Sequence, residues 1–146
     1  MSTYAAILFQ VLFAVSALGQ QIADTTFTFP IARPAYAFGQ GSVVAVDAAH
    51  NNFHTLDGRY APFGKVLAND GYRLVSNDVP LTPEALKTYR IFVISNPLDS
   101  SNTANWQLPT PSAFSDTEIS ALNTWVKAGG SLLLIADHMP FAGAAH

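Results

Sequence analysis

The sequence predicts an α/β domain in which a mainly parallel sheet lies between layers of helices. Three observations carry this expectation. Short continuous apolar runs recur at 43–46, 91–95 and 131–136, as strands buried on both faces require. Stretches with helical apolar spacing separate them, so consecutive strands are joined by crossovers rather than hairpins. Of the 146 residues 49% are hydrophobic and 12% charged, which suits a single core and is too apolar for a disordered chain.

Val43–Val46 is the first strand and runs into Asp47. Residues 60–69 place Phe63, Val66 and Leu67 at helical spacing, and Gly71 supplies the left-handed position that ends the helix. Residues 72–76 read as a second, weaker strand. Thr82 caps a short helix whose first position, Pro83, needs no N–H partner. Ile91–Ser95 is the third strand. Ser115 and Glu118 have capping-box spacing, and Phe114 and Ile119 that of a hydrophobic staple. The helix they open runs through Leu122, Trp125 and Val126 to Gly129–Gly130. Ser131–Ala136 is a fourth buried strand, followed by Asp137. The polar loop 96–111 has a length typical of lids and binding elements. Its Trp106 would suit carbohydrate stacking if exposed, and the core if packed.

The N-terminal part stands outside this pattern. Residues 5–18 form an apolar run that as a helix would span about 21 Å, short of the ~30 Å core of a bilayer. With Ala17-Leu18-Gly19 behind it, the run reads as a secretory signal peptide over 1–19, although no Lys or Arg precedes it. Residues 20–41 read as an extended leader with one edge strand at Thr26–Phe29, and 42–146 as the α/β domain. The expected location is secreted or periplasmic, with no stable membrane span after cleavage. Clustered Lys and Arg are missing and the net charge is −3, so no nucleic-acid partner is expected. With no cysteine, disulfides, thiolate metal sites and a cysteine nucleophile are excluded.

Ligands of parallel α/β sheets bind beyond the carboxyl ends of the strands, near the point where strand order reverses. Two polar clusters fall there: Asp47-Ala48-Ala49-His50-Asn51-Asn52-Phe53-His54 after the first strand, and Asp137-His138-Met139-Pro140-Phe141 after the fourth. In the common order 2-1-3-4 the first and fourth strands are about 10 Å apart, so these loops would meet over Ser95 and Asn96. Three chemistries are open to the cluster. His138 with Asp47, or His50 with Asp137, would serve as an acid–base pair, with Ser95, Thr55 or water as nucleophile. His50, His54 and His138 with a carboxylate would suit a divalent metal, although the helical H-E-x-x-H pattern is lacking. Alternatively Asn51, Asn52, His54, Ser95 and Asn96 would hold a small-molecule or carbohydrate ligand without catalysis, as in a scaffold or binding domain of a cell-envelope complex. Arg59 is a further candidate for an anion.

The segments VVAVDAAHNNFHTLDGRYAPFGKVLANDGY and FSDTEISALNTWVKAGGSLLLIADHMPFAGAA resemble the class I glutamine amidotransferase-like superfamily. They are most similar to its extracytoplasmic members, related to the ThuA-like proteins and to the domain of gliding-type transport accessory proteins. The resemblance implies a flavodoxin-like three-layer α/β fold. It also implies a site near Asp137-His138, where the family's cysteine elbow would fall. Without that cysteine, hydrolysis of glutamine through a thioester is excluded, and a hydrolase-type acid–base site is the expected activity. Such domains continue with another helix and strand, so the domain is expected to be incomplete at its C-terminal side. Uncovered apolar sheet would then favour self-association.

Overall fold

The computed structural model describes residues 22–146. The signal-peptide reading of 1–19 therefore lies outside the described residues. Four strands form one sheet, β1 (Val43–Asp47), β2 (Arg73–Asn77), β3 (Ile91–Ser95) and β4 (Ser131–Ile135), in the order β2-β1-β3-β4. All three pairings are parallel. Four helices connect or follow them: α1 (Ala61–Asn69), α2 (Pro83–Leu86), α3 (Asp116–Lys127) and α4 (Phe141–Ala144). Strand order reverses between β1 and β3, which places the crevice typical of this topology at the ends of those two strands.

Alternation along the strands divides the core into two layers. Ala45, Phe92, Ile94 and Leu132 face α2 and α3, where they meet Leu86, Ala121, Leu122 and Trp125. Val44, Val46 and Val93 face the other way, toward Phe63 and Leu67 of α1. β1 and β3 are central and nearly dry, so their runs contain no charged residue before the terminal Asp47. β4 departs from the sequence expectation of a strand buried on both sides. It pairs only with β3, and Leu133 and Leu134 remain 44% and 45% exposed on opposite faces.

Local signals set the helix ends. The Thr82 side chain accepts from the Ala85 amide at 3.2 Å, and α1 passes into Gly71, whose φ of +94° only glycine adopts at little cost. A Cβ there would lie 2.3 Å from the Tyr36 carbonyl oxygen, so the leader packs directly on this turn. Thr26–Phe29 is not a strand. Asp24 instead accepts hydrogen bonds from the amides of Thr26 and Phe27, folding the segment into a local turn that competes with sheet pairing. The leader is tied to the domain farther on, through Ala35 N to Asp70 Oδ1 at 2.7 Å and an edge contact of Tyr36 with Tyr72. No helix among the described residues is long and apolar enough to cross a membrane.

Candidate functional site

The loops after β1, β3 and β4 converge at the carboxyl end of the sheet. Backbone bonds from Phe53 N to Asn96 O (3.0 Å) and Leu98 N to His50 O (2.9 Å) stitch the first two together across the reversal point. Asn51 Nδ2 adds a bond to the Leu98 carbonyl, and Asn52 Nδ2 one to the Ser95 carbonyl. Asn51 and Asn96 take left-handed backbone, φ 47° and 48°, a conformation asparagine tolerates better than other non-glycine residues. The amides of Asn51 and Asn52, expected from sequence to face a ligand, are thus used in closing the crevice.

His50 lies inside this closure. It is 6% exposed, and its Nδ1 lies 2.8 Å from Asp47 Oδ2 while its Nε2 lies 3.0 Å from Glu118 Oε1. Burial disfavours the imidazolium, but the two carboxylates outweigh burial and raise the pKa above its ordinary value. Glu118 is also fully engaged: Oε1 accepts from the Leu81 amide, and Oε2 from the amide and hydroxyl of Ser115. Burial pushes its carboxyl upward. The Ser115 and Leu81 hydrogen bonds and the His50 contact together bring it down to about 2. The capping box read from the sequence is present, and its glutamate doubles as the second anchor of a buried charge bridge joining the β1 loop, the start of α2 and the start of α3.

This arrangement corrects the pairing expected from the sequence. His138 does not meet Asp47, nor His50 Asp137; each histidine pairs with the aspartate of its own loop. With both ring nitrogens of His50 bonded to carboxylates, no lone pair is left for a metal. Among the described residues no group of three His, Asp or Glu side chains is arranged to hold an ion, so His50, His54 and His138 are not assembled into a ligand set.

A second cluster is different in character. His138 Nδ1 lies 2.6 Å from Asp137 Oδ1, with the two side chains 60% and 48% exposed. Burial pushes the Asp137 carboxyl upward, but hydrogen bonding with Asn96 and His138 and the charge of His138 together hold it below its ordinary value. The Asp137 amide donates to Asn96 Oδ1 at 3.2 Å, which ties the β4 loop to the end of β3. Next to this pair stand Trp106, its ring 6.0 Å from His138, and the buried Phe141 that opens α4. Phe53 continues the aromatic group toward His54, and Arg59 lies over the Phe53 ring at 3.9 Å. Arg59 is therefore stacked and also donates to the Phe53 carbonyl. Trp106 is half-exposed, packed edge-on by its neighbours with part of the indole open to solvent.

Behind this rim runs a hydrogen-bonded chain from His54 Nδ1 to Ser95 Oγ (3.0 Å) and on to the Tyr60 hydroxyl (3.0 Å), with the His54 and Tyr60 rings stacked. Ser95 is wholly buried, so its hydroxyl orients His54 and Tyr60 rather than meeting a ligand from solvent. Burial lowers the His54 pKa; Asp137 opposes that effect and Arg59 reinforces it. The hydroxyl of Thr55, the other candidate nucleophile, bonds Asp57 Oδ1 at 2.6 Å within its own turn.

Residue pattern anticipated that these loops converge but missed two residues that join the cluster, Glu118 and Tyr60. Glu118 carried a visible signal, its capping-box spacing, which accounts for only half of its bonds. Tyr60 carried none, because the stacking on His54 depends on how the β1 loop folds back onto the start of α1. Comparison with family models, curated proteins and solved structures returns no match to this chain.

Proposed function

We propose that the rim formed by Asp137, His138 and Trp106, backed by His54, is a small-ligand site of an exported domain, sugar-related in its substrate and hydrolytic in its chemistry. The single observation that carries this reading is the solvent-facing Asp137–His138 pair beside a half-exposed indole. Asp137 fixes the imidazole through Nδ1, and Nε2 of His138 has no hydrogen-bond partner among the described residues. That leaves Nε2 to take a proton from a water as the water oxygen attacks the ligand, and to return it to the departing group. The open part of Trp106 suits the apolar face of a sugar ring. Ser95 being buried and Thr55 being bonded to Asp57 both favour water as the nucleophile. His50 and Asp47 act in this scheme as scaffold for the rim.

The resemblance to extracytoplasmic class I glutamine amidotransferase-like domains belongs to the same proposal, supported by the β2-β1-β3-β4 parallel sheet. The apolar run at 5–18 supports export. A second, non-catalytic reading as a ligand-binding or scaffold domain is favoured by one observation: much of the polar crevice is bonded to itself through His50, Asn51 and Asn52. A screen of small esters, amides and glycosides, run together with a Trp106 fluorescence titration against the same compounds, separates the two. Turnover is expected. Binding without turnover of any compound would replace the hydrolytic reading with the binding one.

A further inference from the structure

β4 is the least buried strand of the sheet. Among the described residues no strand lies beside its outer edge, and its five residues, SLLLI, include no charge and no proline to discourage pairing. The opposite edge strand, β2, begins with the exposed Arg73. Beside β4, an apolar groove of about 290 Å³ opens between the strand and α3, lined among others by Ile119, Leu122, Val126, Leu132 and Leu134. Ile119 and Val126, one heptad apart on α3, are 42% and 38% exposed.

We infer that this edge is an interface for a second copy of the same chain, pairing β4 with β4 in antiparallel fashion about a two-fold axis normal to the sheet. A row of unpaired backbone N–H and C=O groups is complementary to another strand rather than to a helix or loop, and a two-fold contact must be self-complementary. β4 satisfies that condition. Centred on Leu133, the pairing sets Leu133 against its own counterpart, Leu132 against Leu134, and Ser131 against Ile135, with no charge opposite a like charge. The same axis brings the two α3 helices side by side and antiparallel, because α3 packs over β3 and β4 on one face only. Ile119 and Val126 of one copy then face Val126 and Ile119 of the other across the groove.

Charge supports this occupant. α3 carries Asp116 in its first turn and Lys127 in its last, so antiparallel helices place Asp116 of each beside Lys127 of the other, and opposite ends of the helix dipoles together. The result is a continuous eight-stranded sheet in the order 2-1-3-4-4-3-1-2. It covers the leucines that β4 exposes and leaves the Asp137–His138 rim at both carboxyl ends open.

Sedimentation equilibrium of the full 146-residue chain tests this. A species of twice the chain mass is expected in the micromolar range. Leu133→Lys is expected to weaken association more than 100-fold while leaving the circular dichroism unchanged. Lys127→Glu should weaken it about tenfold in low salt, and adding Asp116→Lys should recover most of that loss. A monomer at 100 µM overturns the proposal. So does association that persists in Leu133→Lys, as it would if the apolar run at 5–18 or another surface drove it. Hydrogen exchange of the β4 amides in the unaltered protein gives a readout that needs no variant. Protection that rises with protein concentration is expected, and protection independent of concentration overturns the inference.

Discussion

Replacing Glu118 by Gln removes a charge while keeping the shape of the side chain and much of its hydrogen bonding to Ser115 and Leu81. The Glu118 side chain is only 15% exposed, and its carboxyl is held down from 4.5 to about 2. At 1.36 kcal/mol per pKa unit this corresponds to about 3 kcal/mol of stability at neutral pH. A depressed carboxyl contributes fully above its unfolded value and loses that contribution as pH falls through its folded one. Between pH 7 and pH 3 the expected loss is about 2 kcal/mol, roughly a 30-fold change in the folding equilibrium. The glutamine variant has no such group, so its stability should decline less over the same interval, by that amount. Urea unfolding followed by tryptophan fluorescence at pH 7, 5, 4 and 3 measures the difference directly. Comparing slopes cancels any constant loss from weaker capping bonds. If the two proteins lose stability in parallel from pH 7 to pH 3, the carboxylate is not held by the bridge described here, and the reasoning fails.

Four further outcomes follow from the structure. The raised His50 pKa means that its contribution is complete below pH 6.5 and fades as pH rises through the folded value; His50→Gln should abolish that alkaline decline in an unfolding series. The same variant leaves Asp47 buried without its cationic partner, so a loss of about 3 kcal/mol or more at pH 6 is expected from denaturant unfolding. In a histidine NMR titration His54 should titrate below 6.5, and Arg59→Gln should move it upward by removing a nearby positive charge. Gly71→Ala meets both a positive φ and the Tyr36 carbonyl, so a loss of more than about 1 kcal/mol in chemical denaturation is expected.

Much of the fold was legible in the residues because its signals are local. The buried run at 91–95, the Thr82 cap, the Ser115–Glu118 box and the glycine stops at 71 and 129 each depend on neighbours within a few positions, and each lies where its pattern implies. Strand order also followed, since parallel crossovers leave few arrangements. The convergence of the loops after β1, β3 and β4 was legible, but which side chains meet there was not. Which aspartate each histidine meets depends on loop paths, and both loops fold so that the local partner wins. Glu118 lies 68 positions from His50, a separation that no spacing rule bridges. Thr26–Phe29 alternates like a strand, yet Asp24 offers its backbone nearer partners. α4 was invisible for another reason, because four residues are too short to display a helical period.

Under the proposed function two histidines take opposite roles, the buried His50 holding the scaffold together and the exposed His138 acting as the acid–base group. Turnover by His138→Ala, on any ester, amide or glycoside that the screen finds the parent protein to hydrolyse, tests that division most directly. The side chain is 60% exposed, so the variant should unfold within about 0.5 kcal/mol of the parent while its kcat/KM falls at least 100-fold. Full turnover in a folded His138→Ala protein would contradict the account.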